Sequence, residues 1–368
     1  MTYLLFSVVV FELYSLTQSQ EITKFNKCKD KYVFRYIIAI LLIFFAGFRS
    51  LSVGTDTINY FDNFEIIDKT LSIETKHPFE FLFQLLNLIC ALVLDVNNGF
   101  RLLLVLCSMI IVINFMIVNK KMSDNEKLSF LIFYLFAGYL SSFNQLRQCV
   151  AISFLFLAFL SANKQNLSSY IAYVILACLF HKSAIVFLPV YFVLKCNKEK
   201  LLYLIYAITI VMFLILMLYY NQILKVFCNL LNYDYFDKYA KYEVQNAGIT
   251  TILKVCMSSV FCIVVFIMTI FNSTGKNKIS ILQLNYVFML ACLFYILGII
   301  SNMLILRLAP LFYWILFLLA PKFISSFKSD KFKTVLFVFC TISLFAYTGL
   351  ITMWKDIYGI VPYGIGFK

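Results

Sequence analysis

Apolar stretches of one to two dozen residues alternate with short polar connections along most of this chain. Read for run length, they predict helices over about 1–17, 33–48, 100–118, 128–143, 148–162, 167–180, 183–195, 200–219, 252–271, 282–300, 303–320 and 333–351, with a further one at 79–95. Several fall short of the roughly 20 residues that cross a bilayer. The three between Gln148 and Lys195 are the shortest, which implies a thinned or water-filled outer region there. The 79–95 segment has a pattern of its own. Glu80, Gln84, Asn87, Ala91 and Asp95 recur at helical spacing, a polar stripe on an apolar cylinder that suits an interfacial or re-entrant helix lining a wet cavity. The predicted architecture is an all-α polytopic membrane protein with about twelve transmembrane helices plus that one, a single integral membrane domain over 1–368.

Composition agrees with the pattern. With 62% hydrophobic and 13% charged residues, the chain lacks the charge that the surface of a soluble domain needs. Lysine and arginine then give orientation, because cytoplasmic connections carry an excess of both. The connections 18–35, 119–127, 163–166, 195–200, 272–281 and 321–333 hold more than half of the 31 basic residues and are assigned to the cytoplasm. The extracytoplasmic regions are then chiefly 49–99 and 220–251, with the short links 144–147 and 181–182 on the same side. Both termini fall outside, and this alternation holds only if 79–95 does not cross. The net charge of +13 is mostly this bias, and no basic stretch is interleaved with aromatics as a nucleic-acid surface would be. The first apolar segment has no basic leader or small-residue cleavage site and reads as a retained helix. The 11 cysteines are scattered without CxxC or metal-ligand spacing, so neither a metal nor a cofactor is expected. No nucleotide-binding glycine motif appears, which argues against a self-contained ATP-driven pump.

Candidate chemistry lies in the polar links. An arginine at the centre of a membrane helix costs about 3 kcal/mol, so one bracketed tightly by apolar segments calls for a phosphate, a carboxylate or water. Asn144-Gln145-Leu146-Arg147-Gln148 places four polar side chains in a five-residue link, where a turn needs one or two. Its donors match the oxygens of a pyrophosphate or a sugar, and Arg147 can grip phosphate through two parallel bonds. The alternative is a hydrated turn with an interfacial Arg. His181-Lys182 ends one short helix and opens the next on the same predicted face. His181 is a candidate proton carrier, or only a cap for terminal helix carbonyls. In the first outer loop Arg49 is followed by Gly54-Thr55-Asp56, read either as a ligand-binding loop or as a snorkelling anchor and a capped turn. Glu80 heads the polar stripe and, with Asp56, is a candidate general base. Arg307, a few residues inside the 303–320 helix, is the third basic residue of this face. The long loop carries Tyr235, Asp237 and Tyr239, a strip able to stack on sugar faces, although tyrosine is also an ordinary belt residue at membrane interfaces.

Three of these elements occur in order: Phe48-Arg49 with Gly54-Thr55-Asp56, then Asn144 to Ala151, then Phe180-His181-Lys182-Ser183-Ala184. Together they resemble the EpsG/Wzy-type polysaccharide (O-antigen) polymerases, over roughly the central 140 residues. One departure is Thr57 directly after the aspartate, where an aromatic is more usual. The resemblance implies an inner-membrane, multi-pass glycosyltransferase similar to the GT-C class, active on the periplasmic face in surface-polysaccharide or lipopolysaccharide biosynthesis. Such enzymes move a growing glycan from undecaprenyl pyrophosphate onto the non-reducing sugar of a second lipid-linked repeat unit.

In that setting Arg49, Arg147 and Arg307 would stabilise the departing pyrophosphate, helped by Asn144, Gln145, Gln148 and Lys182, and Glu80, Asp56 or His181 would take the acceptor's proton. The expected partners are lipid-linked oligosaccharides, membrane lipid and a chain-length regulator. Two other classes share the buried-charge requirement. A flippase or other transporter would show inverted repeats, and none is evident. An O-antigen ligase would carry a large outer loop rich in Arg and His, which 220–251 is not. An acyltransferase fits less well, since no HxxxD pair appears.

Overall fold

The computed structural model describes residues 29–73, 79–230, 248–272, 275–301, 303–349, 359–360 and 362–366. The predicted first helix, and the Tyr235, Asp237 and Tyr239 strip, lie outside them. Among the described residues every regular element is helical. Among those residues five helices are long and apolar enough to cross a membrane, and further apolar helices of 10–17 residues accompany them. The chain is an integral membrane protein. It divides into two compact units, Met1–Val186 with Lys331–Lys368, and Phe187–Asp330.

The first unit is organised around α4 (Val96–Met122), which packs against α1 (Lys29–Gly47), α3 (Phe81–Val93) and α6 (Leu146–Asn163). A buried hydrogen bond of 3.1 Å from Asn114 to Ser153 ties α4 to α6. The short link at 164–166 makes α6 and α7 (Leu167–Phe180) antiparallel neighbours, and they pack closely together. These directions bring five helix ends together: the end of α1, the starts of α2 (Thr57–Thr70), α3 and α6, and the end of α7. The site described below forms there. At the far ends of α1 and α4, Arg35 pairs with Glu126, the first residue of α5 (Glu126–Ile132).

Several expected elements differ in detail. The loop predicted at 49–78 contains α2, a helix whose mixed composition hides an inward face of Thr57, Tyr60, Asn63, Phe64 and Ile67. The polar stripe of α3 was expected to line a wet cavity. Instead Gln84 and Asn87 are buried, at 1% and 0% exposure, on a helix packed against α2, α4 and α7, while Phe81, Ile89, Leu92 and Val93 point outward. In a membrane protein the apolar side of such a helix has lipid to face, so the amides turn toward protein. The predicted 128–143 helix is α5, a π-helical turn (Phe133–Ala137) and a 3₁₀ turn (Leu140–Phe143). The predicted 183–195 helix is a 3₁₀ turn (Lys182–Phe187) and α8 (Val190–Leu194), parted at Pro189, which has no N–H to continue a helical ladder.

The second unit surrounds α11 (Gly275–Ile300), packed by α8, α9 (Glu199–Leu230) and α10 (Ile249–Asn272). The predicted 303–320 helix is three pieces, α12 (Met303–Leu306), α13 (Pro310–Tyr313) and α14 (Leu316–Ser325). Pro310 opens α13 and has no N–H to continue a helical ladder from α12, and α12 lies so close to α11 that a Cβ on Gly298 would lie 2.5 Å from the Leu306 nitrogen. Arg307 is therefore not inside a helix as expected but exposed in the turn between α12 and α13. α15 (Asp330–Gly349) returns the chain to the first unit, where Tyr347 meets Phe136 edge-on at 4.6 Å.

Candidate functional site

The polar links named from sequence converge in the first unit. Glu80, at the N-cap position of α3, does not cap its own helix. Its carboxylate instead reaches the other elements: Oε2 accepts from Arg147 Nη1, and Oε1 lies 3.0 Å from His181 Nδ1 and accepts from the Lys182 backbone N–H at 3.3 Å. The residues at the start of α3, the start of α6 and the end of α7 are thus held by one side chain. Burial pushes the Glu80 pKa up, but the hydrogen bond to His181 and the charges of Arg147 and His181 outweigh it and hold the group at about 2. An ionised carboxylate can only accept, so His181 donates to it through Nδ1–H.

Aromatic rings support this cluster from below. Arg147 lies with its guanidinium carbon 4.0 Å from the Phe79 ring centre, a cation–π contact worth about 1 kcal/mol. Phe79, Tyr60 and Phe83 pack on one another with centroids 5.6–5.8 Å apart. Arg147 keeps about a quarter of its side-chain exposure, and its buried Nε has no hydrogen-bond partner. One edge of the fork is engaged with Glu80.

The Gly54-Thr55-Asp56 loop joins the site through Asn144. Asn144 Oδ1 accepts from the Thr55 backbone N–H at 3.0 Å, and its backbone oxygen accepts from the Tyr60 hydroxyl at 3.1 Å. Burial raises the Tyr60 pKa to about 12, against the opposing charge of Arg147, so the phenol stays a donor. Gly54 has φ of +92°, and an added Cβ would lie 2.4 Å from the Phe143 carbonyl oxygen. Only glycine fits that turn. Thr57 explains the departure noted above: its buried hydroxyl donates to Val53 O at 2.7 Å and reaches Phe143 O at 3.4 Å, closing the loop where an aromatic would not. Asp56 occupies the N-cap position of α2 without a side-chain cap bond, half-exposed, its Oδ1 meeting only the neighbouring Thr55 hydroxyl at 3.5 Å. It is not the capping residue that the alternative reading required.

Arg49 differs from Arg147. It is fully buried, donating to Ala46 O at 3.1 Å and Phe143 O at 3.4 Å, with its guanidinium 4.9 Å from the Phe143 ring. It thereby ties the carboxyl end of α1 to the turn that precedes Asn144. Burial lowers its pKa to about 10, which leaves it charged at neutral pH. Of the remaining candidates, Gln148 is buried, Gln145 half-exposed at the start of α6 and Lys182 exposed. Arg307 belongs to the second unit.

One component had no signal in the sequence. Residues 359–360 and 362–366 lie along the loop that carries Arg49. Ser50 N–H donates to Gly364 O at 2.9 Å, Gly54 N–H to Gly359 O at 2.8 Å and Gly366 N–H to Phe48 O at 3.1 Å. The Tyr363 ring stacks on Phe45 at 4.0 Å, and its hydroxyl donates to the Phe45 carbonyl. Sequence gives no assignment to Tyr60 or Phe79, although Phe79 adjoins Glu80.

Among the described residues no cluster of three or more His, Cys, Asp or Glu could hold a metal ion. No curated protein and no solved structure matches the chain. A family model does, over residues 32–365, a span that includes every element of this site. The chain belongs to the EpsG family, membrane proteins resembling the Wzy-type polysaccharide polymerases.

Proposed function

We propose that this EpsG-family protein polymerises a surface polysaccharide of the O-antigen kind by transferring a glycan from undecaprenyl pyrophosphate to the non-reducing end of a second lipid-linked repeat unit. The observation that carries the reading is the Arg147–Glu80–His181 cluster, which pairs a partly open guanidinium with a carboxylate-held imidazole. Transfer breaks the bond between the anomeric carbon and the pyrophosphate oxygen, whose electrons leave with the diphosphate. The exposed part of the Arg147 guanidinium would take up that charge. The bond that forms joins the acceptor hydroxyl oxygen to the anomeric carbon, and the released proton goes to a base.

Of the three candidate bases, Glu80 is the weakest, since a carboxylate held at about 2 and engaged by three donors has little tendency to take a proton. In this reading Glu80 orients His181, and Nε2 of His181 accepts the proton, an arrangement familiar from carboxylate–imidazole pairs. Asp56, with no capping duty, would bind neighbouring acceptor hydroxyls. Arg49, fully enclosed, would hold the Asn144 turn rather than touch phosphate. The lysines and arginines near the opposite helix ends (Arg35, Lys120, Lys164) favour the cytoplasm, which supports a periplasmic site.

The test is an Arg147→Ala variant in cells. It should insert normally yet leave only single repeat units attached, and Arg147→Lys should rescue poorly, because an ammonium lacks the two-pronged geometry. Long chains made by Arg147→Ala at normal protein levels would overturn the phosphate assignment. Arg307→Ala in parallel tests separately whether the second unit contributes to the same charge.

A further inference from the structure

The turn that presents Arg147 is held by a residue that no motif marks. Tyr60 lies one turn into α2, buried, with its backbone N–H donating to the Asp56 carbonyl at 3.1 Å. Its hydroxyl donates to the backbone oxygen of Asn144 at 3.1 Å, across 84 residues of chain. Asn144 stands two residues before α6, and Arg147 is the second residue of that helix. One phenol therefore fixes where α6 starts relative to the helix that Asp56 opens.

The same side chain reaches the guanidinium by two further routes. Arg147 acts on the phenol oxygen through its charge and through a hydrogen bond in which the guanidinium donates. The Tyr60 ring packs on Phe79 with centroids 5.8 Å apart, and Phe79 is the ring whose centre lies 4.0 Å from the guanidinium carbon. Glu80 meanwhile accepts from Nη1. The guanidinium is thus oriented before any ligand arrives, so less side-chain freedom is lost when one binds. A tyrosine needed only to fill the space between α2 and α3 could be a phenylalanine, because the ring contacts with Phe79 and Phe83 use no polar atom. Burying the hydroxyl costs desolvation, and what offsets it are its bonds to the Asn144 carbonyl and Arg147.

We propose that Tyr60 is a positioning residue: through its hydroxyl and through Phe79 it sets the orientation in which Arg147 meets the diphosphate of the lipid-linked donor. The inference rests on the reading of Arg147 as the group that takes up the leaving group's charge. Tyr60 touches no reacting atom in this scheme. Its contribution is preorganisation, which matters most where charge on the diphosphate oxygen is largest, in the transition state, and less for binding of the intact donor.

The experiment compares wild type, Tyr60→Phe, Phe79→Leu and Arg147→Ala as purified full chains in detergent. The substrate is lipid-linked repeat units extracted from cells that lack the polymerase, and kcat, KM and melting temperature are measured for each. Tyr60→Phe should lower kcat roughly 10–100-fold, with KM within about twofold of wild type. Its melting temperature should stay near that of wild type. Phe79→Leu, which removes the ring under the guanidinium, should show the same pattern and covers the case in which Tyr60→Phe fails to fold. In an Arg147→Lys background Tyr60→Phe should cost less than about threefold, because no planar fork remains to be oriented. A full loss in that background would overturn the inference, as would a wild-type kcat in Tyr60→Phe beside an inactive Arg147→Ala, a result that leaves the reading of Arg147 intact. A lowered melting temperature with unchanged kcat would reduce Tyr60 to a packing residue and overturn it too. Full activity in Arg147→Ala would instead remove the reading on which the inference rests.

Discussion

Two arginines of similar sequence standing have different physical situations. Arg49 is enclosed, with carbonyl oxygens as its hydrogen-bond partners, whereas Arg147 lies on a phenylalanine face with part of its guanidinium open. Removing Arg49 empties its volume, takes the guanidinium donor from the Ala46 carbonyl and leaves the Phe143 carbonyl to Thr57, so Arg49→Ala should lower stability by about 3 kcal/mol. Arg147→Ala should fall well short of that. Thermal unfolding of both variants in detergent checks the difference, and equal melting temperatures would refute it. Glu80 gives a second prediction with a definite sign. Its folded pKa of about 2 lies below the ordinary 4.5, so its contribution to stability is complete above pH 4.5 and is lost as pH falls toward 2. The melting temperature of wild type should exceed that of Glu80→Gln at pH 6, with the gap closing across that window. A gap independent of pH would mean the carboxylate's charge contributes nothing.

At the level of elements, the site depends on pieces that do not touch one another in sequence. α2 is marked by Tyr60, Phe64 and Ile67 at helical spacing, a signal partly hidden by Asp62, Glu65 and Asp68 between them. Residues 359–360 and 362–366 are anchored by three backbone hydrogen bonds and by Tyr363 against Phe45. They act as a clasp over the loop that presents Asp56. Tyr363→Ala should therefore reduce polymer length without abolishing membrane insertion, and Tyr363→Phe, which retains the stack, should keep most of it. Glycan ladders from cells carrying each variant decide the matter. Identical ladders from Tyr363→Ala and wild type would show that the clasp has no bearing on the site.

For the whole molecule the decisive question is which end of the first unit faces outward. Gln145 and Lys182 are at the converging helix ends, Lys164 at the other end of the α6–α7 pair. Cysteines introduced at 145 and 182 in a background cleared of exposed native thiols should react with an impermeant maleimide added to intact cells. One at 164 should react only after lysis. The reverse pattern would place the site in the cytoplasm and remove its access to a periplasmic acceptor.

Hydropathy alone determined that this chain lives in a membrane as a stack of helices, because 62% hydrophobic content in long runs admits no other solvent. The clustering of Asn144, Arg147, His181 and Glu80 in otherwise apolar surroundings was equally legible, since groups this costly to desolvate stand out wherever they occur. Tertiary structure alone decided what those groups do to each other. Glu80 meets Arg147 and His181 across 67 and 101 residues of chain, and that contact holds the carboxylate named as a candidate base between two donors. It also separated the enclosed Arg49 from the accessible Arg147, broke the 303–320 helix around Arg307 and brought the glycine-rich 359–366 segment onto the loop. Local periodicity reports which face of a helix is apolar. It carries no information about which distant residue will fill the space beside that face.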